Sequence, residues 1–115
     1  MSSRGFRSRS LRRDSETDQV RFDRVIQLVR NLRSEIHNEY NGLKQRHSNA
    51  TISAASAQAA SENEGNDSNS ERIDELTREI IRYPKRLEKL DEQLRYFQQL
   101  EKEILRFKII VTEAP

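Results

Sequence analysis

The chain has 115 residues, of which 33% are hydrophobic and 35% are charged, so its core should be narrower than that of an ordinary globular domain. It lacks cysteine and has only two histidines, His37 and His47, which excludes disulfides and leaves too few ligands for a metal cluster. We therefore expect no cofactor and place both histidines on the solvated surface. Glycine and proline are scarce, at 3 and 2 residues, which favours an all-α fold.

The first predicted element is a disordered basic N-terminal arm, residues 1 to 14. Its only large hydrophobic residues after Met1 are Phe6 and Leu11, too few to offset the entropy lost on ordering the segment. It is rich in Arg and Ser and has no acid over 13 residues, a composition also seen in mitochondrial targeting sequences. Its arginines could make weak contacts with phosphates or an acidic surface: Arg4, Arg7, Arg9, Arg12 and Arg13.

Ser15 follows Arg12-Arg13-Asp14, a pattern that resembles the substrate site of a basophilic protein kinase, so Ser15 is a candidate phosphosite. Ser15 also begins a capping box with Asp18, and the simpler interpretation is that it caps the first helix. At that position a phosphate would be stabilised by the helix dipole.

Residues 15 to 47 are predicted to form amphipathic helix 1. Apolar residues fall at heptad positions a and d, the row that we call the seam. Val20, Ile26, Leu28 and Tyr40 lie off the seam and broaden the apolar face to the width of a helix in a bundle. The seam residues, all predicted to contact a partner, are Phe22, Val25, Val29, Leu32, Ile36 and Leu43.

Residues 48 to 70 are rich in Ser, Ala and Asn and are predicted to form a flexible, low-complexity linker, because Ser and Asn compete for the backbone and no large apolar group holds the segment down. Ser68 and Glu71 form a capping box at its end, which predicts that a second helix begins there.

Residues 71 to 112 are predicted to form coiled-coil helix 2. Pro84 predicts a kink, or a break at which a new helix begins. The spacing Leu94, Phe97, Leu100 predicts a stammer, and the β-branched residues in 106–111 favour an extended final turn. The seam residues, again predicted to contact a partner, are Ile73, Leu76, Ile80, Tyr83, Leu87, Leu90, Leu94, Phe97, Leu100 and Ile104.

These elements predict an all-α fold of two long amphipathic coiled-coil helices, and they point to association instead of catalysis. There is no glycine-rich phosphate loop and no metal-ligand constellation. We expect a non-catalytic small subunit of a hetero-oligomeric coiled-coil complex, a scaffold, tether or adaptor such as those of vesicle, endosomal, kinetochore or spindle assemblies. Its partners would be other helical or coiled-coil proteins that complete a bundle of three or four helices.

Two alternatives remain open at this point. One is a homodimeric coiled-coil protein that binds nucleic acid through its basic arm, and the other is a homodimeric structural rod. No apolar run is long enough to cross a membrane, and no secretion signal follows the N-terminus. The expected location is therefore the cytoplasm, with the nucleus as an alternative.

Overall fold

A computed structural model describes residues 2–64 and 70–113, with side chains for residues 10–62 and 70–113. It contains two helices, α1 (Ser2–Glu64) and α2 (Ser70–Glu113). All described residues are helical, so the all-α prediction is confirmed. The second helix begins one residue before the predicted 71 and ends one residue after the predicted 112.

The first helix is longer than predicted, and the predicted linker is wrong over residues 48 to 64. Alanine has the highest helix propensity of all residues, and it recurs through this segment. The hydroxyl of Thr51 donates to the carbonyl oxygen of His47 at 2.9 Å, and Gln58 bonds to Glu62 one turn later. Residues 65 to 69, including Ser68 of the predicted capping box, lie outside the described residues.

α1 also begins before its predicted start at Ser15. Residues 10 to 14, assigned to the disordered arm, are helical, because Leu and Arg are good helix formers and no Gly or Pro interrupts them. The side chains of Arg12 and Arg13 are exposed, and Leu11 is 70% exposed. The side chains of residues 1 to 9, with the three other arginines of the predicted contact surface, lie outside the described residues.

α2 runs without a break through Pro84, so the alternative in which a new helix begins there is wrong, while the kink stays a prediction. Pro84 is exposed, whereas Tyr83 beside it is buried, so inward packing holds the helix together across the missing amide donor. Residues 106–111 are helical and not extended. In the last turn the hydroxyl of Thr112 donates to the carbonyl oxygen of Lys108 at 2.7 Å.

The chain divides into two compact units. Unit 1 comprises Met1–Ser34 and Arg95–Pro115, and unit 2 comprises Glu35–Leu94. In unit 1 the helices run antiparallel, since Ser15 contacts Thr112 and Arg33, farther along α1, contacts Glu101, earlier on α2. Unit 2 contains the connection between the helices and is a helical hairpin, in which Arg86 binds Glu39.

Each helix buries one row of residues, spaced by three or four, which we call the inward row. In unit 1 the row consists of Ser15, Asp18, Phe22, Ile26, Val29 and Arg33 on α1, and of Phe97, Glu101, Ile104, Lys108 and Thr112 on α2. In unit 2 it consists of Ile36, Tyr40, Leu43, His47, Ala50, Ala54, Ala57 and Ser61 on α1, and of Ile73, Leu76, Ile80, Tyr83, Leu87, Leu90 and Leu94 on α2.

The core is as narrow as the composition predicted. Among the described side chains, the buried hydrophobic residues number five: Ile26, Val29, Ala50, Tyr83 and Leu90, the last with no exposed area. Most other members of the inward rows are half-buried, as expected when two helices cover only one stripe of each other.

Candidate protein-binding surface

The inward row of α1 passes through the predicted seam residues at position a, but at position d it passes one residue after them. The predicted contact of the α1 seam with a partner stays a prediction. Ile26, placed off the seam, is 4% exposed, whereas Val25 is 44% exposed. Leu32 is half-buried, but Arg33 occupies the inward row beside it. Each residue turns the helix by about 100°, so a shift of one residue moves a side chain from the contact to its flank.

On α2, all ten predicted seam residues are buried or half-buried. In a single chain they are covered by the chain's own helices, so their predicted contact with another protein stays a prediction. One member differs in detail: Leu100 lies on the flank, and the inward row passes from Phe97 through Glu101 to Ile104. The predicted stammer is therefore wrong, because it followed the apolar residues and not the helical phase.

The inward row of unit 1 contains a cluster of charges that the sequence analysis missed. The Oε1 atom of Glu101 accepts a hydrogen bond from Nε of Arg30 at 2.6 Å, and Oε2 accepts one from Nη1 of Arg33 at 2.9 Å. The Glu101 side chain is only 14% exposed. Nearer the end of α2, Nζ of Lys108 binds Asp23 at 2.7 Å. A strict seven-residue count from Ile73 reaches both Glu101 and Lys108, and this was the available signal.

Two flanks accompany each inward row. We call the positions one residue before a row member the preceding face, and those one residue after it the following face. When two helices pack antiparallel, the residues that come one position before a row member lie on the same side of the pair in both helices. The ion pair of unit 2 shows this, since Glu39 precedes Tyr40, Arg86 precedes Leu87, and their side chains meet at 3.0 Å.

The preceding face of unit 1 is apolar. The inward row has four members from Phe22 to Arg33 and five from Phe97 to Thr112, and each has one preceding position. Seven of these nine preceding positions are large hydrophobic residues, and the two others are Arg21 and Glu103. Of the nine on the following face, only Leu105 and Ile109 are apolar. The seven are Val25, Leu28, Leu32, Tyr96, Leu100, Phe107 and Val111.

Much of this face is open to solvent. Tyr96 is 62% exposed, Leu28 58% and Phe107 55%, although the Phe107 ring packs edge-to-face on Phe22 with centroids 5.7 Å apart. Of the eleven exposed large hydrophobic residues among the described side chains, nine belong to unit 1, and only Ile52 and Ile81 belong to unit 2. The described preceding positions of unit 2 carry no large hydrophobic residue. The apolar face is therefore a local feature of unit 1.

Ser15 is not a helix cap. It lies inside α1, and its Oγ donates to the carbonyl oxygen of Thr112 at 3.2 Å. That carbonyl is among the last four of α2, which have no partner within the helix. Of the two histidines, His37 is exposed as expected, but His47 is half-buried in the inward row, which corrects the expectation for it. Phosphorylation of Ser15 stays a prediction.

Some regions of the described surface are concave, open to solvent and lined largely by charged side chains. One is lined by Glu75, Arg78, Glu79 and Arg82, all on α2, and a single helix cannot enclose a ligand. The described residues contain no group of three or more His, Asp or Glu side chains placed to hold a metal ion. Over the same residues, neither helix has a segment long and apolar enough to cross a membrane.

These features define an antiparallel two-helix protein with coiled-coil-like packing and an apolar surface on one unit. Comparison with protein-family models, with curated proteins and with solved structures finds no match to the chain. Its function must therefore be argued from its own residues.

Proposed function

We propose that the protein is a non-catalytic small subunit of a hetero-oligomeric coiled-coil complex. In this role it acts in the cytoplasm as a scaffold, tether or adaptor, such as those of vesicle, endosomal, kinetochore or spindle assemblies. Helices of other proteins bind unit 1 and complete a bundle of three or four helices. The observation that carries the proposal is the concentration of exposed hydrophobic residues in unit 1.

Apolar area of unit 1 that the chain's own helices leave uncovered supports the proposal. Soluble monomers expose scattered hydrophobic residues singly, but contiguous apolar patches mark interaction sites. Near the end of α2, Ile109 and Ile110 are 54% and 59% exposed, and on α1 Val20 is 53% exposed. Each Å² of apolar surface removed from water contributes about 25 cal/mol. Covering unit 1 with further helices therefore supplies the free energy for assembly.

Partner capture tests the proposal. The tagged chain would be purified gently from its own cells at moderate salt, and co-eluting proteins identified by mass spectrometry. We expect near-stoichiometric helical proteins. A variant with Ile109→Glu and Ile110→Glu should lose them, whereas the matched control with Ile52→Glu and Ile81→Glu, in unit 2, should retain them. Circular dichroism would verify that both variants remain helical.

Two results would contradict the proposal. The first is capture that is equal in both variants, since unit 1 would then be irrelevant. The second is recovery of the bait with nucleic acid alone, removed by nuclease and by added salt. That result would favour the alternative of a homodimeric binder that uses the basic arm.

A further inference from the structure

We infer that the preceding face of unit 1 binds the same face of a second copy of this chain, in a two-fold symmetric four-helix bundle. The inference rests on the proposed function, because it names one occupant of the unit through which the chain joins its assembly. Other exposed residues of unit 1, such as Val20 and Ile109, do not lie on this face and remain available to other chains.

The width of the face indicates a pair of helices as its occupant. Its hydrophobic residues form two columns, one on each helix. Leu32 and Leu100 are half-buried beside the inward rows, while Leu28 and Tyr96 are about three-fifths exposed on the outer flanks. One helix in the groove between α1 and α2 would cover the first two and leave the last two in water. A second copy presents two helices with matching columns.

The charges on the face are self-complementary. The α1 column is interrupted by Arg21 and the α2 column by Glu103. A two-fold axis parallel to the helices sets α1 of one copy against α2 of the other, which brings Arg21 toward Glu103 of the second copy at both edges. An axis across the helices would set α1 against α1, so that Arg21 would not face Glu103 of the second copy. Opposite charges therefore favour the parallel axis.

Phe22 packs on Phe107 and Asp23 binds Lys108. Arg21 therefore lies at about the same height along the helix pair as Ile109. Glu103 is then displaced from that level by about 9 Å along the helix. The long Arg side chain and the Glu side chain together can span this displacement. The contact is therefore feasible without a shift of either helix.

The size of the face predicts a weak dimer. The α2 column from Tyr96 to Val111 is about 22 Å long, and two packed helices are about 20 Å wide. The footprint is about 450 Å² on each copy, or about 900 Å² in total, which is below the roughly 1,000 Å² of a stable specific interface and in the range of weak, transient ones. We therefore expect a weak dimer, with a dissociation constant on the order of micromolar or above.

Sedimentation velocity of the purified full chain over about 1 to 200 µM tests the inference. We expect a reversible monomer–dimer equilibrium. Leu28→Glu and Tyr96→Glu should each weaken the dimer at least about tenfold, whereas Ile52→Glu and Ile81→Glu should leave it unchanged. Circular dichroism would show that the variants remain folded. A chain that stays monomeric at the highest concentration, or a dimer that is insensitive to Leu28 and Tyr96, would overturn the inference.

Charge reversal tests the arrangement with variants that leave the apolar residues intact. Arg21→Glu alone and Glu103→Arg alone should each weaken the dimer several-fold, and the double variant should restore it. Absence of restoration would overturn the parallel two-fold axis.

The outcome is distinguishable from failure of the proposed function. A monomeric chain that still captures helical partners refutes the second copy and leaves the proposed function intact. A chain that neither dimerises nor captures a partner refutes both.

Discussion

Arg33 donates a hydrogen bond from Nη1 to Oε2 of Glu101 at 2.9 Å, from positions where both helices bury their inward rows. The other carboxylate oxygen binds Arg30, which is about half exposed, so one carboxylate bridges two guanidinium groups at different depths. Hydrogen bonds between ionised groups are shorter and stronger than neutral ones. Removing the carboxylate would leave the half-buried Arg33 without this partner.

The first prediction follows from this pair. Glu101→Ala should lower the free energy of unfolding by about 2 kcal/mol, less than for a fully buried pair because solvent screens the charges. Chemical denaturation followed by circular dichroism would measure the change. Glu88→Ala is the control, since Glu88 is exposed on α2 and its change should fall within about 0.5 kcal/mol of zero. Equal losses in the two variants would refute the role of Glu101.

The second prediction concerns Leu90, the fully buried side chain of α2. Leu90→Ala should cost about 3 kcal/mol through lost burial and the cavity it leaves, and Leu90→Asp should prevent folding of unit 2. Gln93→Asp, three residues away and exposed, should keep the helical signal in thermal unfolding. If Gln93→Asp were as damaging as Leu90→Asp, the inward row would be wrongly placed.

The third prediction tests the helix over residues 48 to 64. Ala50 is 5% exposed, whereas Ala55 is exposed. Ala50→Leu should destabilise the protein by about 2 kcal/mol by overpacking, and Ala55→Leu should change stability by less than about 0.5 kcal/mol. Denaturation midpoints would measure both. In a flexible linker the two substitutions would be equivalent, so identical midpoints would contradict the packing described for unit 2.

The fourth prediction is that glutamate at position 15 destabilises the protein more than alanine does. Ser15→Ala should cost about 1 kcal/mol through loss of the bond to the carbonyl of Thr112. Ser15→Glu should cost more, because it places a negative charge at the negative end of the α2 dipole. Thermal unfolding at low and high salt would separate the charge effect. If Ser15 were a helix N-cap, the glutamate would be tolerated better than the alanine, and phosphorylation would stabilise the chain.

The sequence predicted α2 well and α1 less well, for a physical reason. From Ile73 to Phe97 every inward position is a large apolar residue, so hydrophobicity and helical phase agree. On α1, Val25 and Ile26 are adjacent and equally apolar, so composition does not choose between them. Whether Val25 or Ile26 faces inward depends on Arg33, Tyr40 and His47, which occupy later positions of the same row as Ile26. A search for aliphatic residues at heptad positions does not select these three residues.

The segment after His47 was misread for the opposite reason. Ala50, Ala54 and Ala57 continue the row at the same spacing, but a small side chain carries little hydrophobic signal, and the surrounding Ser and Asn residues suggested a linker. The preceding face could have been predicted in part, since Leu28 was recognised as lying off the seam. Its extension over α2 could not, because it requires the antiparallel pairing.

The charged residues in the inward row of unit 1 also bear on how the helices align. A row of leucines alone tolerates a slip by one heptad, because each layer is equivalent to the next. Here a slip of seven residues in one direction would place Lys108, in the position of Glu101, beside Arg30 and Arg33. A slip in the other direction would place Glu101, in the position of Lys108, beside Asp23. In both cases like charges would meet. The three ion pairs thus penalise misaligned helix pairs, and a single alignment is selected even though the core is too thin to select it by shape.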